Sequence, residues 1–178
     1  MTPRDVESLP AAFRHMPRKT RCPRIAAVPR LTVQTWGAAG GAQMFQWKPS
    51  LMIGIAEIDA QHMALFEMAE WFAAAVEARE GPGVLEELFG FLAEYALDHF
   101  AAEERVMREV DFPQLAQHAQ EHVRFKRQLA SLVSQWSSEG ASPAVLLALR
   151  GFLELWLAEH VTTSDQRIGD HVRELSAC

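Results

Sequence analysis

His99 and Glu103 stand four residues apart, and so do His118 and His122. On a helix, residues at that spacing lie on one face, one turn above each other. Each pair can therefore aim two donor atoms at one point. His160, followed by Asp165, and a single upstream His62 complete a set of five imidazoles and two carboxylates. Imidazole and carboxylate together suit iron, zinc, copper or nickel. The set is too large for one ion but suits two ions that share bridging carboxylates.

Such a set works only if the chain brings it together. Four stretches carry the i, i+3, i+4 apolar period of an amphipathic helix. The first runs from about residue 59 to 79, with Asp59 as N-cap and His62, Leu65, Phe66, Ala69, Phe72, Ala73 and Val76 on one face. Gly81-Pro82-Gly83 breaks it. The second runs from about 84 to 109, with Leu85, Leu88, Phe89, Leu92, Ala96, His99, Glu103 and Val106 inward. Asp111-Phe112-Pro113 is the next break, and Pro113 suits the first turn of a third helix reaching about residue 137. Its inward face is His118, His122, Phe125, Leu129, Leu132 and Trp136. Ser142-Pro143 opens the fourth as N-cap and first helical residue, with Leu146, Leu149, Leu153, Trp156 and His160 inward.

Four long amphipathic helices with short connections predict an all-α, up-down-up-down antiparallel four-helix bundle. Alternating direction then makes a separate statement about the donors. His62 is early in the first helix and His99 late in the second, the His118 pair is early in the third, and His160 is late in the fourth. All seven residues fall at one end of the bundle. Unpartnered, so many buried polar groups would be prohibitive. A metal removes that cost. Glu104 neighbours Glu103 but points about 100° away around the helix. Asp165 is five residues from His160, off-face for an α-helix, so a π-bulge near residues 162–164 is expected. Asp98, Glu159, His15 and His171 are read as surface residues.

The body is acidic. Residues 1–43 hold seven Lys/Arg against Asp5 and Glu7, a net +5, whereas residues 44–178 hold 10 basic and 21 acidic side chains, a net −11. That balance argues against nucleic acid, whose phosphates need Lys and Arg. No apolar run approaches the roughly 20 residues of a membrane span, and the basic N-terminus has no apolar core of a signal peptide. Cys22 and Cys178 give neither a disulfide framework nor a metal spacing, and fit free thiols in a reducing cytoplasm. Residues 1–43, rich in Pro and Gly and without period, are expected to be a disordered tail or sequence upstream of a true start at Met44; a basic docking arm is the alternative. From Phe45 through Leu51, Ile53, Ile55 and Ile58 runs an apolar arm, irregular because of Gly54. Residues 44–178 form the bundle domain.

The motifs His62, His99-x3-Glu103, His118-x3-His122 and His160-x4-Asp165 resemble the hemerythrin signature in its bacterial single-domain form. The flanks agree: Trp47, Gly54-Ile55, Ile58-Asp59-x-Gln61-His62, His99-Phe100, Glu104, Met107 and Trp156-Leu157. Met52 stands where a small residue is more usual. The resemblance covers Phe45 to about Leu175. It implies a non-haem site of two iron ions with a hydroxo or oxo bridge. His118, His122 and His160 would hold one iron, His62 and His99 the other, and Glu103 and Asp165 would bridge. The second iron would keep a position for dioxygen, with Trp156 and Leu157 as candidates for an apolar oxygen pocket. The resemblance further implies that oxygen binding leaves the net charge of the site unchanged, so no charge moves across a low-dielectric interior. Oxygen storage, delivery or buffering is therefore the leading expectation, without enzymatic turnover. A peroxidase or ferroxidase at the same centre and a redox sensor are the alternatives. The sensor is weakened because the chain stops soon after the fourth helix. An oxygen-using or redox partner is implied but not identified.

Overall fold

The computed structural model describes residues 46–79 and 83–177. Expectations for residues 1–43, for Met44 and Phe45 of the arm, for the Gly81-Pro82 break, and for Cys22, Cys178 and His15 lie outside the described residues.

After a single 3-10 turn at Pro49–Leu51 come α1 (Ala56–Glu77), α2 (Gly83–Glu109), α3 (Leu115–Glu139) and α4 (Pro143–Leu155). A π-helical segment, Trp156–Ser164, then leads without a break into α5 (Asp165–Ser176). The junctions at Leu155, Trp156, Ser164 and Asp165 all hold right-handed helical dihedrals, so α4, the π segment and α5 form one rod. α1 packs on α2, α2 on α3, α3 on α4, and α4 closes the ring against α1. This is the expected four-helix bundle. No described helix is long and apolar enough to cross a membrane.

Local chemistry explains the boundaries, including two that differ from expectation. Asp59 is not the N-cap of α1. The helix starts three residues earlier, and from its first turn Asp59 reaches back to accept from the N–H of Ile53 (2.7 Å) and of Gly54 (3.1 Å). A carboxylate there also faces the positive end of the helix. Ile58 is accordingly helical rather than part of the arm. Pro113 does not begin α3; Gln114 is its N-cap, because the chain first makes a Schellman turn. Asp111 is left-handed (φ +50°), its N–H bonds to the Arg108 carbonyl, and the Phe112 N–H bonds to the Met107 carbonyl. Phe112 packs back on Met107, the apolar contact this motif favours. Met107 rather than Val106 is the fully buried side chain of that turn. Ser142 and Pro143 open α4 as expected, with the Val145 N–H on the Ser142 hydroxyl.

The arm is clamped from the far end of the chain. Gln166 donates to the Leu51 carbonyl (2.7 Å) and Arg173 to the Ile53 carbonyl (2.9 Å). A Cβ at Gly169 would lie 2.4 Å from the Ile53 carbonyl oxygen, so only glycine lets the arm approach α5 this closely. Trp47 packs edge-on against Phe66, which carries the arm to within 6.4 Å of the His62 ring.

Candidate metal centre

The main apolar core fills the length of the bundle, and a smaller cluster of Met107, Phe112 and Ile168 closes one end. Between the two lies a layer of polar side chains. His62, His99, Glu103, His118, His122, His160 and Asp165 are each at most 3% exposed. All seven residues singled out from the sequence meet here. Helix direction is the reason: α1 and α3 enter this end early, whereas α2 and the fourth rod reach it late.

The donors fall into two sets. Glu103, His118, His122 and His160 converge on one point, and His62, His99, Glu103 and Asp165 on another. The two carboxylates face both points, one oxygen to each. Glu103 Oε2 lies 2.9 Å from His122 Nε2 and 3.2 Å from His118 Nε2, while Oε1 lies 3.4 Å from His99 Nε2. Asp165 Oδ1 lies 3.0 Å from His160 Nε2 and 3.5 Å from His118 Nε2, while Oδ2 lies 3.0 Å from His62 Nε2. Donors about 2.1 Å from one ion stand about 3 Å apart at right angles and about 4.2 Å apart across it. The observed separations, up to 4.0 Å for His62 to Glu103, span that range. One point is thus offered five donors, the other four.

Several of these atoms, His62 Nε2, His99 Nε2, Glu103 Oε1, His122 Nε2, His160 Nε2 and both Asp165 oxygens, are buried without a hydrogen-bond partner. Each such group costs about 1–3 kcal/mol. Cations at the two points would satisfy all of them, so the residues present fit a pair of metal ions.

The outer ring nitrogens are fixed from behind. His99 Nδ1 donates to Gln61 Oε1 (2.9 Å), His122 Nδ1 to Glu104 Oε1 (3.2 Å) and His160 Nδ1 to Glu121 Oε2 (2.7 Å). A proton on Nδ1 leaves the Nε2 lone pair free for a metal and raises its basicity. The sequence places Gln61 and Glu104 only among the flanks of the family signature, sets Glu104 aside as a ligand by its angle, and gives Glu121 no role. The available signal was adjacency: each borders a donor residue in the chain. His171 is likewise not simply a surface residue: it donates from Nε2 to the Val110 carbonyl (2.9 Å) and packs on Phe112. Asp98 and Glu159 are exposed, as expected.

Asp165 reaches the site through the π segment. Five residues of α-helix turn through about 500°, leaving a side chain about 140° off-face. Here the Asp165 N–H bonds instead to the carbonyl of His160, five residues back. Thr162 and Thr163 bond their hydroxyls to the carbonyls of Ala158 and Glu159. The expected bulge is present and spans Trp156–Ser164.

Electrostatics match the chemistry. Burial pulls His99 down to about 4, which keeps it neutral. Burial alone would raise Glu103, but His99, His118, His122 and His160 around it hold it well below the usual carboxylate range. Glu121 is held at about 2 by its bond to His160.

One turn deeper, each rod contributes one aromatic: Phe66, Tyr95, Phe125 and Trp156. Tyr95 stacks on His99 (4.3 Å between ring centroids, 27°) and Trp156 on His160 (3.7 Å, 18°). Leu157 is buried in the main core. Burial first, then the charges of Glu103 and Asp165, push the Tyr95 hydroxyl well above its ordinary value, and the Trp156 N–H acts against them. The sequence reading did not single out Tyr95, although its position four residues before His99 was a usable signal.

The sequence profile of the hemerythrin HHE cation binding domain matches residues 53–172. The chain is 31% identical over 127 residues to a bacteriohemerythrin of Stenotrophomonas maltophilia (strain R551-3), covering 71% of this chain and 80% of that protein. A bacteriohemerythrin of Pseudomonas aeruginosa (strain LESB58) is 30% identical over the same shares. A myohemerythrin of Riftia pachyptila is 27% identical over 121 residues, 68% of this chain and 88% of that protein.

Proposed function

The chain belongs to the hemerythrin family, and from that premise we propose that it binds dioxygen reversibly at a non-haem di-iron site, for oxygen storage, delivery or buffering. His118, His122 and His160 would hold one iron, His62 and His99 the other, with Glu103 and Asp165 bridging both and a hydroxo or oxo group as the third bridge. When bound, the iron pair supplies the electrons that capture dioxygen and takes them back on release.

The observation that carries this reading is the pair of buried donor sets that share Glu103, one with three imidazoles and one with two, with Asp165 reaching toward an imidazole of each. The set with fewer imidazoles would be the one to take an exogenous ligand. The remaining residues serve retention rather than turnover. Gln61, Glu104 and Glu121 orient the imidazoles, so the ligand geometry needs no rearrangement when the ligand arrives. Phe100 stacks on His122 (4.0 Å, 2°) and, with the deeper aromatic layer, excludes the water that would drain the site by protonation. Trp156 and Leu157 would belong to the apolar wall of the oxygen pocket.

The test is spectroscopic. Protein reduced without oxygen should gain a visible charge-transfer band when oxygen is admitted and lose it when oxygen is removed, over repeated cycles. If oxygen instead oxidises the reduced protein in one irreversible step, releasing peroxide or water, the binding reading fails and a peroxidase or ferroxidase reading replaces it.

A further inference from the structure

Tyr95 Oη and Trp156 Nε1 are the two side-chain polar atoms outside the donor cluster that are buried without a hydrogen-bond partner among the described residues. Both belong to the aromatic layer one turn beneath the cluster. Tyr95 precedes His99 by four residues on α2, and Trp156 precedes His160 by four on the fourth rod. Phe66 and Phe125 complete that layer and carry no polar atom. Any small molecule approaching the cluster from its core side therefore meets one hydroxyl and one indole N–H in an otherwise apolar surround.

Neither group is satisfied by the protein. An indole N–H only donates, whereas a phenol both donates and accepts. The neighbouring rings are Phe100 at 5.9 Å and Phe125 at 6.5 Å, which offer no acceptor oxygen or nitrogen. His99 is stacked against the Tyr95 face, so its nitrogens are not in line with the hydroxyl. The charges of Glu103 and Asp165 are felt at the phenol, yet both carboxylates are turned to the imidazoles.

We propose that the Tyr95 hydroxyl is the donor that recognises a small hydrogen-bond-accepting ligand of two or three heavy atoms on the core side of the two-histidine set. The inference rests on the oxygen-binding reading and adds the group that discriminates among ligands: acceptors are favoured over apolar molecules of equal size.

Azide is the probe. Iron-loaded, oxidised wild type, Tyr95→Phe and Trp156→Phe are titrated with azide by visible absorption, and the same chains are melted after metal removal. Removing the hydroxyl should weaken azide about tenfold, the effect of one hydrogen bond to an anion. Trp156→Phe, which keeps an aromatic ring against His160 but removes the other unpartnered donor of the layer, should weaken it less. The metal-removed Tyr95→Phe chain should melt with wild type, because the hydroxyl has no partner in the protein. Equal azide affinity in wild type and Tyr95→Phe overturns the inference alone. A metal-removed Tyr95→Phe chain melting several degrees lower also overturns it, by making the hydroxyl structural. Wild type that holds two irons yet binds neither azide nor dioxygen overturns the oxygen-binding reading and this inference together.

Discussion

Glu103 and Asp165 place one oxygen toward each donor set, whereas every imidazole serves one set. The consequence is a difference in metal stoichiometry. His122→Ala should lower bound iron from about two per chain toward about one, because four donors remain around the other point. Glu103→Ala should deplete both, and elemental analysis of the two variants checks it. A second prediction concerns protons. In the metal-removed chain, Glu121 is depressed to about 2 and His160 raised by the carboxylates about it against its burial. A depressed carboxylate stabilises the fold above its ordinary range and loses that contribution as pH falls through about 2. A raised histidine stabilises below its ordinary range and loses that contribution as pH rises through its folded value. Both act together at about pH 5–6, whereas the depressed His99 opposes them as pH falls below its ordinary value, so Glu121→Gln should lower the thermal stability of the metal-removed chain most at about pH 5–6. At this scale the sequence was informative about donors, because metal ligands repeat at helical spacing. It did not assign which ring Gln61, Glu104 and Glu121 each orient, because these bonds cross between helices: 38, 18 and 39 residues separate each from the ring it fixes.

Whole elements explain why the donors hold their places. The fourth rod carries both His160 and Asp165, and only the widened turn between them lets both face inward. That widening was legible because a five-residue spacing conflicts with the α period. The clamp on the arm was not. It joins Leu51 and Ile53 to Gln166, Gly169 and Arg173, more than 100 residues away, and nothing local in either stretch announces the other. Asp59 illustrates the same limit: its composition suits a cap, but its carboxylate turns back to the arm, a choice made by where the arm packs. Gly169→Ala tests the clamp. The added methyl would meet the Ile53 carbonyl oxygen and backbone, neither of which can turn aside. Destabilisation of about 1–3 kcal/mol is expected, measured by denaturant or thermal unfolding. Because Trp47 travels with the arm against Phe66 and past His62, the variant should also lose iron faster to a chelator.

At the scale of the molecule, charge is spread unevenly along the chain. Residues 1–43 carry a net positive charge and the remainder a net negative one. Family similarity covers residues 53–172, and among the described residues the contacts that fix the arm begin at Trp47 and run through Ile53. A chain starting at Met44 keeps every one of these contacts, as well as all seven donors. We propose that it folds and loads iron like the full chain, with a melting temperature changed by no more than about 2 °C. A chain starting at Ile55 provides the contrast. It loses the buried Ile53, the ring of Trp47, and the partners of Asp59, Gln166 and Arg173, leaving a buried carboxylate with nothing to bond. Loss of one buried aliphatic side chain alone removes about 1.5–3 kcal/mol, and the stranded Asp59 adds to it. Its melting temperature should fall by many degrees. If the Met44 start costs as much stability as the Ile55 start, the first 43 residues contribute to the fold and the division at residue 44 is wrong.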